Sequence, residues 1–294
     1  MFSVAYTDGL CVVRQNLMTR NAVKLFLNGV EWYVELTGEG PPLLLLHGFT
    51  GSGQTWQPLA PTLAGHHTLI IVDLIGHGRS DAPADPARYV IEQCVADLLT
   101  LLDHLRVERV DLCGYSMGGR IGLLLTAGAL ARVRRQILIG ASPGLADPAE
   151  RAARLASDEA LAQRIEQEGL EWFVDYWAAQ PIFASQQRLP VEVRAAQRAQ
   201  RLAGSAQGYA HALRGMSVGR QPSLWAALPV MTTPTLLITG ALDTKFCAIA
   251  ERMVALMPHA RHLIVPDAGH AAQIEQPEIV AQAIIAFLQE GSVG

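Results

Sequence analysis

Two hydrophobic rhythms alternate along the chain. Residues 43–46, 67–74, 110–113, 136–140, 234–240 and 262–265 form short, largely apolar runs, the pattern of strands covered on both faces of a parallel sheet. Between them the spacing turns helical: Ile91, Val95, Leu98, Leu99, Leu102 and Leu105 recur every three or four positions, which predicts a crossover helix over 90–105. A helix is likewise expected over 248–257, and a closing helix over 276–288 that buries Ile279, Ala283, Ile284 and Leu288. Residues 24–36 alternate loosely around Gly29 and predict a hairpin at a sheet edge.

The alternation stops after residue 146. Residues 147–219 are rich in alanine, glutamine and arginine, keep helical spacing and carry turn signals at Pro181, Pro190 and Gly204. A helical block interrupting an α/β rhythm reads as a cap over the carboxyl ends of the strands. The expected division is an N-terminal extension (1–21), an α/β core from 22–146 and 220–294, and a helical cap (147–219). Met18 is a candidate natural start within the extension.

The 294 residues, half of them hydrophobic, are enough for one large core bearing such a cap. The net charge of −4 gives no general attraction to nucleic acid or an anionic membrane, so an anionic ligand must be met by locally placed arginines. No apolar stretch is long enough to span a bilayer, and residues 1–20 lack a secretory pattern. Cys11, Cys94, Cys113 and Cys247 are far apart and lack metal-ligand spacing, which fits buried thiols in a reducing compartment. The expectation is a cytoplasmic protein with no metal, no membrane insertion and no nucleic-acid partner. Oligomeric state leaves no signature.

The candidate chemistry begins at Gly114-Tyr115-Ser116-Met117-Gly118. An apolar strand runs into Gly-x-Ser-x-Gly and continues as an apolar helix, the nucleophile-elbow pattern, with Ser116 at the corner. A serine nucleophile needs a base, and the base an orienting acid. Asp243 and His270 each follow a late strand, and the order Ser, Asp, His is that of the α/β-hydrolase fold. The fold class expected is therefore α/β: an α/β-hydrolase fold with a mostly parallel central sheet and an inserted helical cap. Asp267 is a rival acid but lies too close to His270 in sequence. The oxyanion hole should combine the backbone N–H groups of Met117 and Phe49, the latter in the loop Leu46-His47-Gly48-Phe49-Thr50-Gly51.

Arg120 stands one helical turn after Ser116. A cation in the first turn opposes the helix dipole, so it should be compensated either by a protein carboxylate or by an anionic substrate. Tyr115, beside the nucleophile, is expected either in the cavity or packed beside the elbow. The block 147–219 holds many arginines, most of which must be ordinary solvated charges. Trp172, Phe173, Tyr176, Trp177 and Phe183 form an aromatic stripe that either walls a pocket or packs onto the core.

Taken together, these segments resemble the 2-succinyl-6-hydroxy-2,4-cyclohexadiene-1-carboxylate synthase family of menaquinone biosynthesis. The resemblance runs over residues 22–290. It rests on the two motifs above, on Asp73-Leu74-Ile75-Gly76-His77-Gly78-Arg79-Ser80 and Gly118-Gly119-Arg120, and on Trp177-Ala178-Ala179-Gln180-Pro181-Ile182-Phe183, Gln221-Pro222-Ser223-Leu224-Trp225 and Asp243-Thr244-Lys245-Phe246. It implies elimination of pyruvate from 2-succinyl-5-enolpyruvyl-6-hydroxy-3-cyclohexene-1-carboxylate, without a cofactor. It also implies a Ser116–His270–Asp243 triad and substrate contacts from Tyr115, Arg120, Arg154, Trp177 and Arg201. The small polycarboxylate substrate suits arginine forks. Two other readings stay open: a carbon–carbon bond hydrolase or carboxylesterase with the same triad, and a non-catalytic small-molecule receptor on the same fold.

Overall fold

The computed structural model describes residues 21–290; the proposed extension, Met18 and Cys11 lie outside them, apart from residue 21. Eight strands form one sheet: β1 (Asn21–Leu27), β2 (Val30–Thr37), β3 (Pro42–Leu46), β4 (Thr68–Val72), β5 (Val110–Tyr115), β6 (Val133–Ile139), β7 (Thr235–Gly240) and β8 (Ala260–Val265). Their spatial order is β1-β2-β4-β3-β5-β6-β7-β8. The first two form an antiparallel hairpin and β2 pairs antiparallel with β4; every later pairing is parallel. The hairpin turns on Asn28 and Gly29, at φ 51° and 82°, the left-handed pair that suits a two-residue turn between right-twisting strands.

Side-chain alternation sorts the central strands onto two cores. Leu44, Leu46, Ile70 and Val72 pack on one face with α2 (Ile91–His104) and α3 (Met117–Gly128). Leu43, Leu45, Leu69 and Ile71 pack on the other with α1 (Ala60–Ala64) and the C-terminal helix. Cys94 and Cys113 are buried free thiols, one in each core.

Between β6 and β7 the chain is helical: α4 (Pro148–Ala178), broken at Gly169 (φ 86°, ψ 176°), then α5 (Val191–Leu202) and α6 (Ala206–Gly215). Ala162, Ile165, Phe173, Tyr209, Ala210 and Leu213 form its own small core, against which Phe49 packs. The helix expected over 248–257 is α7 (Thr244–Val254). It starts earlier because Asp243 caps it, accepting a hydrogen bond from Phe246 N at 3.3 Å.

After the single-turn α8 (Ala272–Glu275), the closing helix α9 (Pro277–Gln289) differs from expectation in its buried face. Ile279 is 40 % exposed, whereas Val280, Ala281, Ile284, Ile285 and Leu288 are buried. Ile284 and Leu288 are buried as expected, whereas Ala283 is only half-buried and Val280, Ala281 and Ile285 widen the buried face in place of Ile279. No described helix is long and apolar enough to cross a membrane.

Candidate active site

The elbow is built from close backbone approaches. Between β5 and α3, Ser116 takes φ 50° and ψ −107°, a strained conformation for a residue with a Cβ. A Cβ on Gly114 would stand 2.5 Å from Gly118 O, and one on Gly118 would stand 2.2 Å from Leu46 O. Only glycine lets β5, α3 and the end of β3 meet here. Ser116 N donates to Ile139 O at 2.8 Å, which ties the corner to β6.

Ser116, His270 and Asp243 are joined in a line. Ser116 Oγ lies 3.0 Å from His270 Nε2, and His270 Nδ1 lies 2.7 Å from Asp243 Oδ2. His270 is 4 % exposed, and the rings of Phe246 and Tyr115 stand 4.6 and 5.4 Å from it, centroid to centroid. Those contacts leave the imidazole little freedom to swing from the serine. Asp267, the rival acid, is exposed on a left-handed turn at φ 55°.

The loops after β3 and β4 are locked by buried polar groups. His47 Nδ1 donates to Gly48 O at 2.8 Å and its Nε2 accepts from Leu74 N at 2.9 Å, so this ring bridges both loops as a neutral tautomer. Asp73 accepts from Gly53 N and from Arg79 N. Burial pushes His47 down to about 4. Burial, with His47 close by, pushes His77 to about 3.

The unfolded chain therefore binds more protons than the native protein as pH falls from the ordinary histidine value. Stability from both histidines is complete above about pH 6.5 and is lost progressively as pH falls, toward about 4 for His47 and about 3 for His77. Thermal melts across that interval should show a falling Tm, and a flat Tm would contradict the neutral pair.

A cavity of about 340 Å³ opens over the triad. Ser116, His270, Phe49, Met117, Tyr115, Arg120, Arg154 and Trp177 all line it. Met117 is the first residue of α3, so its amide is among those a helix start leaves without an intrahelical acceptor. The Phe49 ring meets Trp177 edge-on at 5.1 Å. Burial raises the Tyr115 hydroxyl above the usual phenol range, so it is a neutral group.

Arg201 is placed differently. It lines a neighbouring small cleft with Gly48, Tyr115, Phe183 and Gln200, its guanidinium 5.6 Å from the Phe183 ring centroid. Burial lowers its pKa. The aromatic stripe also divides. Tyr176, Trp177 and Phe183 line the cavity, Phe173 belongs to the core of the helical block, and Trp172 stacks on Tyr176.

The other arginines of the helical block are sorted by their partners. Arg198 pairs with Asp175 and Glu171, and Arg214 with Glu159 and Glu166. Arg154 Nε bonds Asp158 Oδ1 at 2.8 Å while both line the cavity. Arg120 is 8 % exposed, and among the described residues no carboxylate is hydrogen-bonded to it, one of the two options its sequence position left. It donates to Gln221 Oε1 and to Met216 O, each at 2.8 Å. Burial, reinforced by Arg154, holds it down at about 10.

Two charged lining residues, Asp158 and Lys245, and the fully buried Gln221 behind Arg120 were not among the expected site residues. Asp158 carried a weak signal, the (i, i+4) spacing from Arg154. Lys245 lines the cavity from the first turn of α7. Gln221 is brought to Arg120 across 101 residues, a separation no local pattern encodes. Among the described residues no cluster of histidine, cysteine or carboxylate side chains is arranged to hold a metal.

The α/β-hydrolase-fold family model matches residues 41–277. The Bacillus subtilis (strain 168) protein assigned as a 2-succinyl-6-hydroxy-2,4-cyclohexadiene-1-carboxylate synthase is 41 % identical over 265 residues, covering 89 % of this chain and 96 % of its own. The chain belongs to that synthase family. Its Enterobacter sp. (strain 638) member is 36 % identical over 249 residues, covering 85 % of this chain and 92 % of the relative. Among solved structures, MenH from S. aureus superposes with a TM-score of 0.83 at 32 % identity, over 87 % of this chain and 98 % of that one. That relative therefore shares the α/β-hydrolase fold described above.

Proposed function

We propose that this chain eliminates pyruvate from 2-succinyl-5-enolpyruvyl-6-hydroxy-3-cyclohexene-1-carboxylate to give 2-succinyl-6-hydroxy-2,4-cyclohexadiene-1-carboxylate. The observation that carries this reading beyond family membership is the charge of the cavity over Ser116: Arg120, Arg154 and Lys245 against the single carboxylate of Asp158. A site of that sign favours a polycarboxylate over a neutral ester. A cytoplasmic protein acting on a small soluble acid belongs to the same reading, with residues 147–219 serving as its cap.

In the proposed mechanism Asp243 holds His270 with Nε2 free to take the Ser116 proton. The serine oxygen then removes a proton from the ring rather than attacking a carbonyl. The electrons of that C–H bond form the new ring double bond as the existing one shifts and the C–O bond to the enolpyruvyl group breaks. Enolpyruvate takes up a proton and becomes pyruvate. The Phe49 and Met117 amides stabilise the negative charge that develops beforehand. Arg120 and Arg154 hold substrate carboxylates, Tyr115 and Trp177 shape the pocket, and Arg201 acts from the adjoining cleft.

Supplying the substrate in situ from the preceding pathway enzyme tests the reaction. Pyruvate and the diene absorbance should appear together in equal amounts. Hydrolysis of activated acyl esters with a burst, and no pyruvate, would favour the hydrolase reading instead. Arg120→Ala is expected to lower kcat/KM by about 100-fold or more with the protein still folded. A loss under about threefold would remove Arg120 from the substrate contacts.

A further inference from the structure

Arg120 is a buried cation held by neutral atoms. Among the described residues no carboxylate pairs with it. Its acceptors are an amide oxygen and a backbone carbonyl, and the nearby Asp158 is already bonded to Arg154. A buried charge usually recruits an opposite one. Here glutamine occupies the place where glutamate would have met the same hydrogen bond and added an ion pair.

Gln221 is itself firmly placed. It is completely buried, and its backbone N–H donates to Ser217 O at 3.0 Å. The residues after it are strapped to the loop that follows β6: Leu224 N donates to Pro143 O at 2.8 Å and Trp225 Nε1 to Gly144 O at 3.0 Å. Gly144, at φ 91°, backs the amide; a Cβ there would lie 3.4 Å from Gln221 Nε2. Arginine has donors only, so the amide oxygen must face the guanidinium. That leaves Nε2 buried and without a partner. A group that accepts an unmet donor in order to present its oxygen is fixed by its neighbours.

We infer that Gln221 is a positioning residue for the reaction: its neutral oxygen aims Arg120 along the cavity wall while leaving the guanidinium charge free for a substrate carboxylate. This rests on the pyruvate-elimination reading above. It adds the requirement that the residue behind the arginine be an uncharged acceptor.

The test compares Gln221→Glu and Gln221→Met with the unaltered chain, using the enolpyruvyl substrate made in situ and separating KM from kcat. Glutamate keeps the hydrogen bond but neutralises the cation, so KM should rise about tenfold or more while Tm holds or increases. Methionine removes the acceptor but not the charge, so KM should rise less, by about threefold. A purely structural glutamine predicts the opposite rank, with glutamate close to the unaltered chain and methionine worse; that order overturns the inference.

If Gln221→Glu does not fold, Gln221→Asn withdraws the neutral oxygen by one methylene. It should raise KM by about fivefold, and an unchanged KM overturns the inference as well. Absence of pyruvate release from the unaltered chain defeats the underlying reading, and this inference with it. Normal release with KM indifferent to charge at 221 defeats the inference alone.

Discussion

Ser116→Ala is expected to lower kcat by about three orders of magnitude while moving Tm by no more than a few degrees. The substitution removes only Oγ, which bonds His270 Nε2 at 3.0 Å. Alanine keeps the φ 50° backbone and both flanking glycines, so the strain at the elbow is retained rather than increased. In the proposed reaction the lost oxygen is the proton acceptor. His270 would then have to reach the ring proton from one bond further back, and residual turnover measures how well it does so.

Substrate affinity should change little, because the cations that hold the carboxylates are untouched. A receptor on this fold would show no turnover to lose, and an esterase would lose a burst phase as well as its steady state. Pyruvate release, acyl-ester burst and thermal melting on the same two preparations separate these cases.

What could be read ahead of the structure was whatever depends on local order. The Gly-x-Ser-x-Gly corner is legible because steric demands on Gly114 and Gly118 are met within a few residues. Asp243 and His270 are legible because each follows an apolar strand at its carboxyl end, where an open parallel sheet gathers its ligands. The hairpin is legible from the loose alternation of residues 24–36 around Gly29.

Long-range pairings were hidden. Arg120 was recognisable as an anomaly in a helix's first turn, yet its acceptors, Met216 and Gln221, come from the far side of the helical block. Arg154 and Arg201 are both arginines of helical segments, and nothing in their spacing says that one lines the cavity while the other enters a cleft beside Phe183. Ile279 was misplaced for a smaller reason: in so apolar a helix, helical spacing admits more than one buried face.

The second large effect concerns the acid. Asp243→Asn should lower kcat by about 10³- to 10⁴-fold, with Tm lowered by only a few degrees. The two oxygens of Asp243 have separate duties: Oδ2 holds His270 Nδ1 at 2.7 Å, and Oδ1 accepts from Phe246 N at 3.3 Å, capping α7. Asparagine has one oxygen to divide between them. With its oxygen on the cap, its NH₂ faces His270 and forces the imidazole proton onto Nε2, where it meets Ser116 and cannot serve as a base. With its oxygen toward His270, the tautomer survives but the charge that would stabilise the imidazolium is gone, and the helix loses a cap worth about 1 kcal/mol. Both arrangements impair proton transfer, and only the second weakens the fold appreciably. Asp267→Asn is the matched control: it sits exposed at φ 55°, a conformation asparagine tolerates, so kcat should stay within about twofold. Equal losses at both positions would mean that His270 is oriented by something other than Asp243.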